Sequence, residues 1–187
     1  MKELSDTVSP QGILAVCQQM HPNFDDIALP QLIVICSQVR DPGNAGALIR
    51  CADAFAADAV ILTTGSVELH NPKTVRSTAG SLFNLPVITA VTLQESVAFA
   101  RSEGMQILAA GAEGEEIDLL AAGGGLSRPT AWIMGNEAWG IPEEDLGMAD
   151  RLVAVPMWGS AESLNLSSAA AICLYQTASA QRRSTSK

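Results

Sequence analysis

The stretch Val155-Pro-Met-Trp-Gly-Ser-Ala-Glu-Ser-Leu-Asn165-Leu-Ser-Ser168 stands between a strand-like run and an alanine-rich helix. It gathers Glu162, Ser163, Asn165, Ser167 and Ser168 at the mouth of that helix, more polar groups than one cap uses. A helix start offers free backbone N–H groups and suits a polar ligand. Two further stretches have the same character: Asp41-Pro-Gly-Asn44-Ala-Gly-Ala-Leu-Ile-Arg50 and Gly135-Asn-Glu137-Ala-Trp-Gly140-Ile-Pro142. All three follow apolar, β-rich runs, where an open α/β sheet carries its ligand site.

Outward from these stretches, strands and helices alternate from residue 30 onward. Strands are predicted over Leu32–Cys36, Ala59–Leu62, Val87–Thr89, Met105–Ala110, Ala131–Met134 and Arg151–Val155. Helices are predicted over Ala45–Ala57 with Asn44 as N-cap, Asn71–Ala79 with Pro72 in its first turn, Leu93–Glu103 and Asn165–Arg182. Helical crossovers imply parallel neighbours, hence an α/β fold: a parallel sheet sandwiched by helices. Gly123-Gly-Gly125 reads as a flexible loop, and the Ser/Arg/Lys tail as disordered. Residues 1–28 differ, with a short strand over Gly12–Cys17 and a polar linker over His21–Asp26.

The 187 residues suffice for one domain with a proper core. No apolar run is long enough to span a membrane, and the N-terminus lacks the layout of a secretion signal. Cys17, Cys36, Cys51 and Cys173 each stand alone in apolar surroundings, which reads as buried, reduced thiols of a cytoplasmic protein. His21 and His70 lie far from any cysteine cluster, so no metal site is expected. The net charge of −9 argues against general nucleic-acid binding, although a focused basic site remains compatible with it.

Each polar stretch has a structural and a functional reading. Gly43 and Gly46 suit a tight turn after a strand. Arg50, in an otherwise apolar helix, either pairs with Asp53 for only ~0.3 kcal/mol or clamps a phosphate or substrate. Gly135 lets a ligand approach the backbone at a strand end, and Glu137 either caps a neighbouring helix or faces the site. Trp139 reads as a packing anchor. Ser163 and Asn165 can each cap the last helix, so one is left for another task. No G-x-G-x-x-G or Walker loop is present, and Gly111-Ala-Glu-Gly114 is too short and acidic to cradle pyrophosphate well.

Taken together and in order, the stretches resemble the three motifs of the SpoU-type (TrmH-like) branch of the SPOUT RNA ribose 2′-O-methyltransferases. Asn44-x-Gly46-x-x-x-Arg50, Gly135-Asn-Glu137-x-x-Gly140 and Pro156-Met-x-Gly-x-x-Glu162-Ser-Leu-Asn165-x-Ser167-x-Ala169 carry the likeness, which covers roughly residues 30–180. The segment Lys73-Thr-Val-Arg76 is similar to a family segment near the RNA-facing side. The resemblance implies an α/β knot, a C-terminal trefoil. It implies S-adenosylmethionine bound by Ala110, Gly111, Gly135, Val155, Met157 and Leu164. It also implies catalytic or substrate-orienting roles for Asn44, Arg50, Glu137, Ser163 and Asn165, RNA contacts by Lys73 and Arg76, and a homodimer with its active site beside the interface. Residues 9–17 resemble the closing strand of an N-terminal RNA-recognition domain, so 1–28 are expected to be its tail plus linker, leaving 29–187 as the catalytic domain and RNA affinity mostly outside it.

The implied reaction deprotonates a ribose hydroxyl as it attacks a methyl group, so the protein chiefly orients and accepts a proton. Neutralising an arginine whose pKa lies above ~12 costs at least ~7 kcal/mol near pH 7. Arg50 is therefore expected to grip the adjacent phosphate and stabilise the emerging alkoxide, the proton leaving through phosphate or water. Glu137 is expected to orient Arg50 or a partner loop. The RNA substrate is expected to be rRNA ahead of tRNA. The competing readings are a non-catalytic RNA-binding or ribosome-assembly module of the same fold, and an α/β enzyme on a small acidic or nucleotide ligand, such as a flavodoxin-like reductase, which would need a phosphate loop or an acidic metal cluster.

Overall fold

The computed structural model describes residues 12–13 and 15–185. Six strands form one parallel sheet: β1 (Leu32–Cys36), β2 (Ala59–Thr63), β3 (Val87–Val91), β4 (Gln106–Glu116), β5 (Thr130–Met134) and β6 (Arg151–Ala154), in the order β3-β2-β1-β5-β4-β6. Side chains alternate along each strand, so both faces need cover. Leu32, Val34, Cys36, Trp132 and Met134 point to one layer, and Ile33, Ile35, Ala131 and Ile133 to the other. The first layer holds α1 (Pro42–Ala54), α4 (Ile117–Ala122) and α6 (Leu166–Thr185), with α2 (Pro72–Ser77) packed on α1. The second holds α3 (Leu93–Ser102) and the loop around α5 (Glu143–Leu146). After β6 at the sheet edge the chain turns back, and α6 packs on α1, β5 and β1. No helix among the described residues is long and apolar enough to cross a membrane.

Several expectations need correction. The described residues of the expected strand 12–17 are irregular and exposed, with no neighbouring strand to take up their hydrogen bonds. The expected linker is anchored. Asn23 caps a single 3-10 turn, Phe24–Asp26, and Phe24 stacks on Phe99 at 4.5 Å. Gly123–Gly125 is no loose loop. Gly123 ends α4, Gly124 takes φ +76°, and a side chain at Gly125 would collide with Leu120. Helix α6 continues to Thr185, through the start of the expected disordered tail, and residues 186–187 lie outside the described set. Cys36 and Cys173 are buried, and burial pushes the Cys173 thiol up to about 12, but Cys17 is exposed and Cys51 half-buried.

Candidate active site

The site begins with strand order. Cys36 pairs with Met134 at the carboxyl ends of β1 and β5, so the loops that follow these strands start side by side. The loop after β5 is built to one shape. Asn136 and Gly140 exchange backbone hydrogen bonds of 2.9 Å, and Gly140 takes φ +69°. A side chain at Gly135 would collide with the Gly140 carbonyl, so this glycine serves loop closure rather than ligand approach alone. The buried Asn136 amide donates to the Gln38 carbonyl at 2.7 Å and ties the two loops together. Asn136 is a scaffold residue that the motif reading passed over, although it sits inside the motif.

Asp41, not Asn44, caps α1. Its carboxylate accepts the Asn44 backbone N–H at 2.8 Å, and Pro42 supplies the preset first-turn backbone. That N–H first, and then the Lys73 ammonium 3.6 Å away, outweigh desolvation and hold the Asp41 carboxyl below its ordinary pKa. With the cap supplied by Asp41, the Asn44 side chain is free to face the site. Gly46 makes no turn either. It lies inside α1 where α2 crosses, and a side chain there would sit 2.6 Å from the Thr74 carbonyl and overlap the Ser77 hydroxyl.

One hydrogen-bond chain joins the three motif stretches. The Glu137 carboxylate accepts the Arg40 and Asp41 backbone N–H groups at 3.4 and 3.3 Å and the Asn44 side-chain amide at 3.1 Å. The Asn44 oxygen accepts the Asn165 amide at 2.9 Å. The Asn165 oxygen in turn accepts the Ser167 N–H at 2.9 Å and its hydroxyl at 2.6 Å, capping α6. A carboxylate only accepts, so Glu137 sets the orientation of both amides in sequence. Asn165 therefore caps a helix and reaches the site at once. Ser163 is left exposed, with no hydrogen bond among the described residues.

Beside this chain lies a cavity of about 590 Å³, within the ~300–1,000 Å³ usual for small-ligand sites. A register shift in β4 between Ala110 and Glu115 brings Ala110 and Gly111 to its wall. Gly135, Val155, Met157 and Leu164 also line it, as do Asn44, Glu137, Ser163 and Asn165. Two carboxylates, Glu137 and Glu162, face the cavity, and no Lys or Arg among the described residues lines it. Such a wall suits a cationic ligand and disfavours a phosphate-bearing one, which speaks against the reductase reading. A sulfonium with main-chain contacts for a purine fits it.

Arg50 is not brought to this cavity. It follows Asn44 by six positions, roughly 240° around the helix, and lies exposed on the face opposite the core. Its expected partner Asp53 instead accepts the Asn84 amide at 2.8 Å, and Arg50 forms no ion pair among the described residues. Glu137 does not touch it, so the expected orientation of Arg50 by Glu137 is absent within one chain. Lys73 is exposed and paired with Asp41, and Arg76 is exposed on α2 with no ion pair among the described residues. Trp139 is no packing anchor. It is 49% exposed, with the Arg40 guanidinium 4.8 Å from its ring centre. Among the described residues no three His, Cys, Asp or Glu side chains gather as a metal site needs.

A parallel α/β sheet with a loop-built, carboxylate-lined cavity at its central strand ends places the chain among the open α/β proteins that bind a small ligand there. Within that class the chain belongs to the SpoU rRNA Methylase family, whose model matches residues 31–175. It is 38% identical over 92% of its length to the 23S rRNA (guanosine(2553)-2′-O)-methyltransferase RlmP of Bacillus subtilis, covering 66% of that protein. It superimposes on the SpoU methyltransferase AviRb of Streptomyces viridochromogenes, solved with the cofactor AdoMet, with TM-score 0.78 and 28% identity over 91% of this chain and 68% of that one. The AdoMet-bound rRNA methyltransferase of Sinorhizobium meliloti gives TM-score 0.77 and 34% identity over 86% and 61%. The chain thus spans roughly two thirds of the length of these relatives.

Proposed function

We propose that this chain transfers the methyl group of S-adenosylmethionine to a ribose 2′-hydroxyl in RNA, rRNA ahead of tRNA. The observation that carries this reading is the convergence of Glu137, Asn44 and Asn165 on one acidic cavity that no lysine or arginine lines among the described residues. When bound, the cofactor supplies an electrophilic methyl on a good leaving group. Ala110, Gly111, Gly135, Val155, Met157 and Leu164 would hold it. Glu137, Asn44 and Asn165 act as positioning residues that lock the three motif stretches together, and the Ser163 hydroxyl, without a hydrogen bond among the described residues, meets the ribose. We place catalysis in residues 29–187 and read the return of residues 155–165 as the trefoil crossing of the family.

Arg50 grips the phosphate beside the target ribose and stabilises the developing alkoxide. It points away from the cavity of its own chain, so we propose a homodimer in which Arg50 of one copy serves the cavity of the other. Methyl transfer from labelled S-adenosylmethionine to rRNA, with the product mapped as a 2′-O-methyl ribose, tests the activity. Mixing Arg50→Ala with Glu137→Ala protein tests the sharing. Partial recovery from two inactive variants supports it, and no recovery despite mixed dimers overturns it.

A further inference from the structure

The larger hollow of the molecule, the exposed acidic run at 113–118 and the His21–His70 pair carry no chemistry that points to one ligand; the indole at the mouth of the cavity does. Trp139 stands between Ala138 and Gly140, both of which line the cavity, yet is itself at the rim and 49% exposed. A half-open indole is a poor packing element, because much of its apolar area stays in water. The Asn136–Gly140 bridge closes the loop that carries it, and the Arg40 guanidinium lies over its ring. Arg40 connects the indole to the site, because its own backbone N–H donates to Glu137.

Charge says what the rim receives. In a chain of net charge −9, Arg40 forms no ion pair among the described residues, and the adjacent Asp41 carboxylate takes Lys73 instead. A cation without an ion pair, stacked on a half-exposed indole, matches a planar base followed by a phosphate, the repeating unit of a nucleic acid. We propose that Trp139, backed by Arg40, is the platform on which the base of the target nucleotide stacks while its ribose faces the cavity. Both are positioning residues, and the inference rests on the methyltransferase reading. Stacking on an aromatic face tolerates any base, so the platform holds the nucleotide without selecting its identity.

The test uses indole emission. Trp132 is buried and donates to Thr177, so it provides a constant background, and Trp158→Phe removes the other exposed indole. Titrating this protein with a short single-stranded oligoribonucleotide of mixed sequence at low salt should quench Trp139. Trp139→Ala should weaken oligonucleotide binding and raise the RNA KM by about ten-fold or more with kcat little changed. Trp139→Phe should restore most of the loss, and Arg40→Ala should weaken binding and lower its salt dependence by about one unit. Calorimetry should show unchanged S-adenosylmethionine affinity in each variant. Absent quenching, an unchanged KM in Trp139→Ala, or a loss confined to dimer assembly in sedimentation overturns the platform. Failure of the parent protein to bind S-adenosylmethionine overturns the function itself.

Discussion

Two hollows of this molecule differ in what surrounds them. The one at the sheet's carboxyl edge holds about 590 Å³ and is walled by loops whose polar groups find one another across the fold. The one beneath residues 15–22 is larger, about 800 Å³, and is lined by Leu69, Val75, Leu82, Phe83, Pro86 and the irregular segment itself. His21 and His70 meet there edge to face at 6.4 Å, and among the described residues no third His, Cys, Asp or Glu completes a metal site with them. The smaller hollow is the better site because parallel strands deliver several chain segments to one point with their ends aligned. A surface segment lying over a helix brings volume without convergence.

The contrast can be broken most directly at Arg50. Arg50→Ala should lower methyl transfer by about 10²-fold or more while S-adenosylmethionine still binds in calorimetry, because the residue lies outside the cavity. Full activity would remove it from the reaction. Next comes Glu137→Gln, which puts an amide donor against two backbone N–H groups and the Asn44 amide. At least one donor is left facing another, and we expect a loss of about 10- to 100-fold in kcat/KM with a stability cost of about 0.5–1.5 kcal/mol, since the site is open to water. Wild-type rates would mean that the hydrogen-bond chain is not needed for geometry.

Gly46→Ala sharpens the comparison from the packing side. Its side chain would press α2 away from α1, costing about 1–3 kcal/mol in denaturant unfolding while leaving cofactor affinity nearly intact. A smaller effect is expected from acid. The folded pKa of Asp41 is depressed, so its contribution to stability is complete above the unfolded value near 3.8 and is lost as pH falls through the folded one. Asp41→Asn should therefore keep most of the cap at pH 7 and flatten the drop in melting temperature below about pH 4. The smallest effect is predicted for Phe83→Ser in the larger hollow. It should leave S-adenosylmethionine affinity and methyl transfer unchanged, and a change in either would mean that the two hollows communicate.

Much of this was legible from local pattern. The short apolar runs became the six strands, and the polar stretches became two loops and the first turns of α1 at their carboxyl ends. Local pattern misled where two residues competed for one task. Asn44 and Asp41 both suit a helix cap, and the Asp-Pro pair wins because proline presets the first turn. Helix α4 was missed because the acidic residues around Ile117 and Leu120 hide its two buried anchors. Trp139 was misjudged because nothing in a sequence tells whether an indole has a layer to pack against.

Chemistry-bearing side chains and the strand ends that carry them were determined by the chain itself, since apolar periodicity and turn residues act over a few positions. Partnership was decided only in three dimensions. Glu137 meets Asn44 across 93 residues and Asn165 meets Asn44 across 121, because β1 lies beside β5 and the chain returns after β6. The same folding turned Arg50 outward, as helix rotation separates residues that stand six apart in one motif.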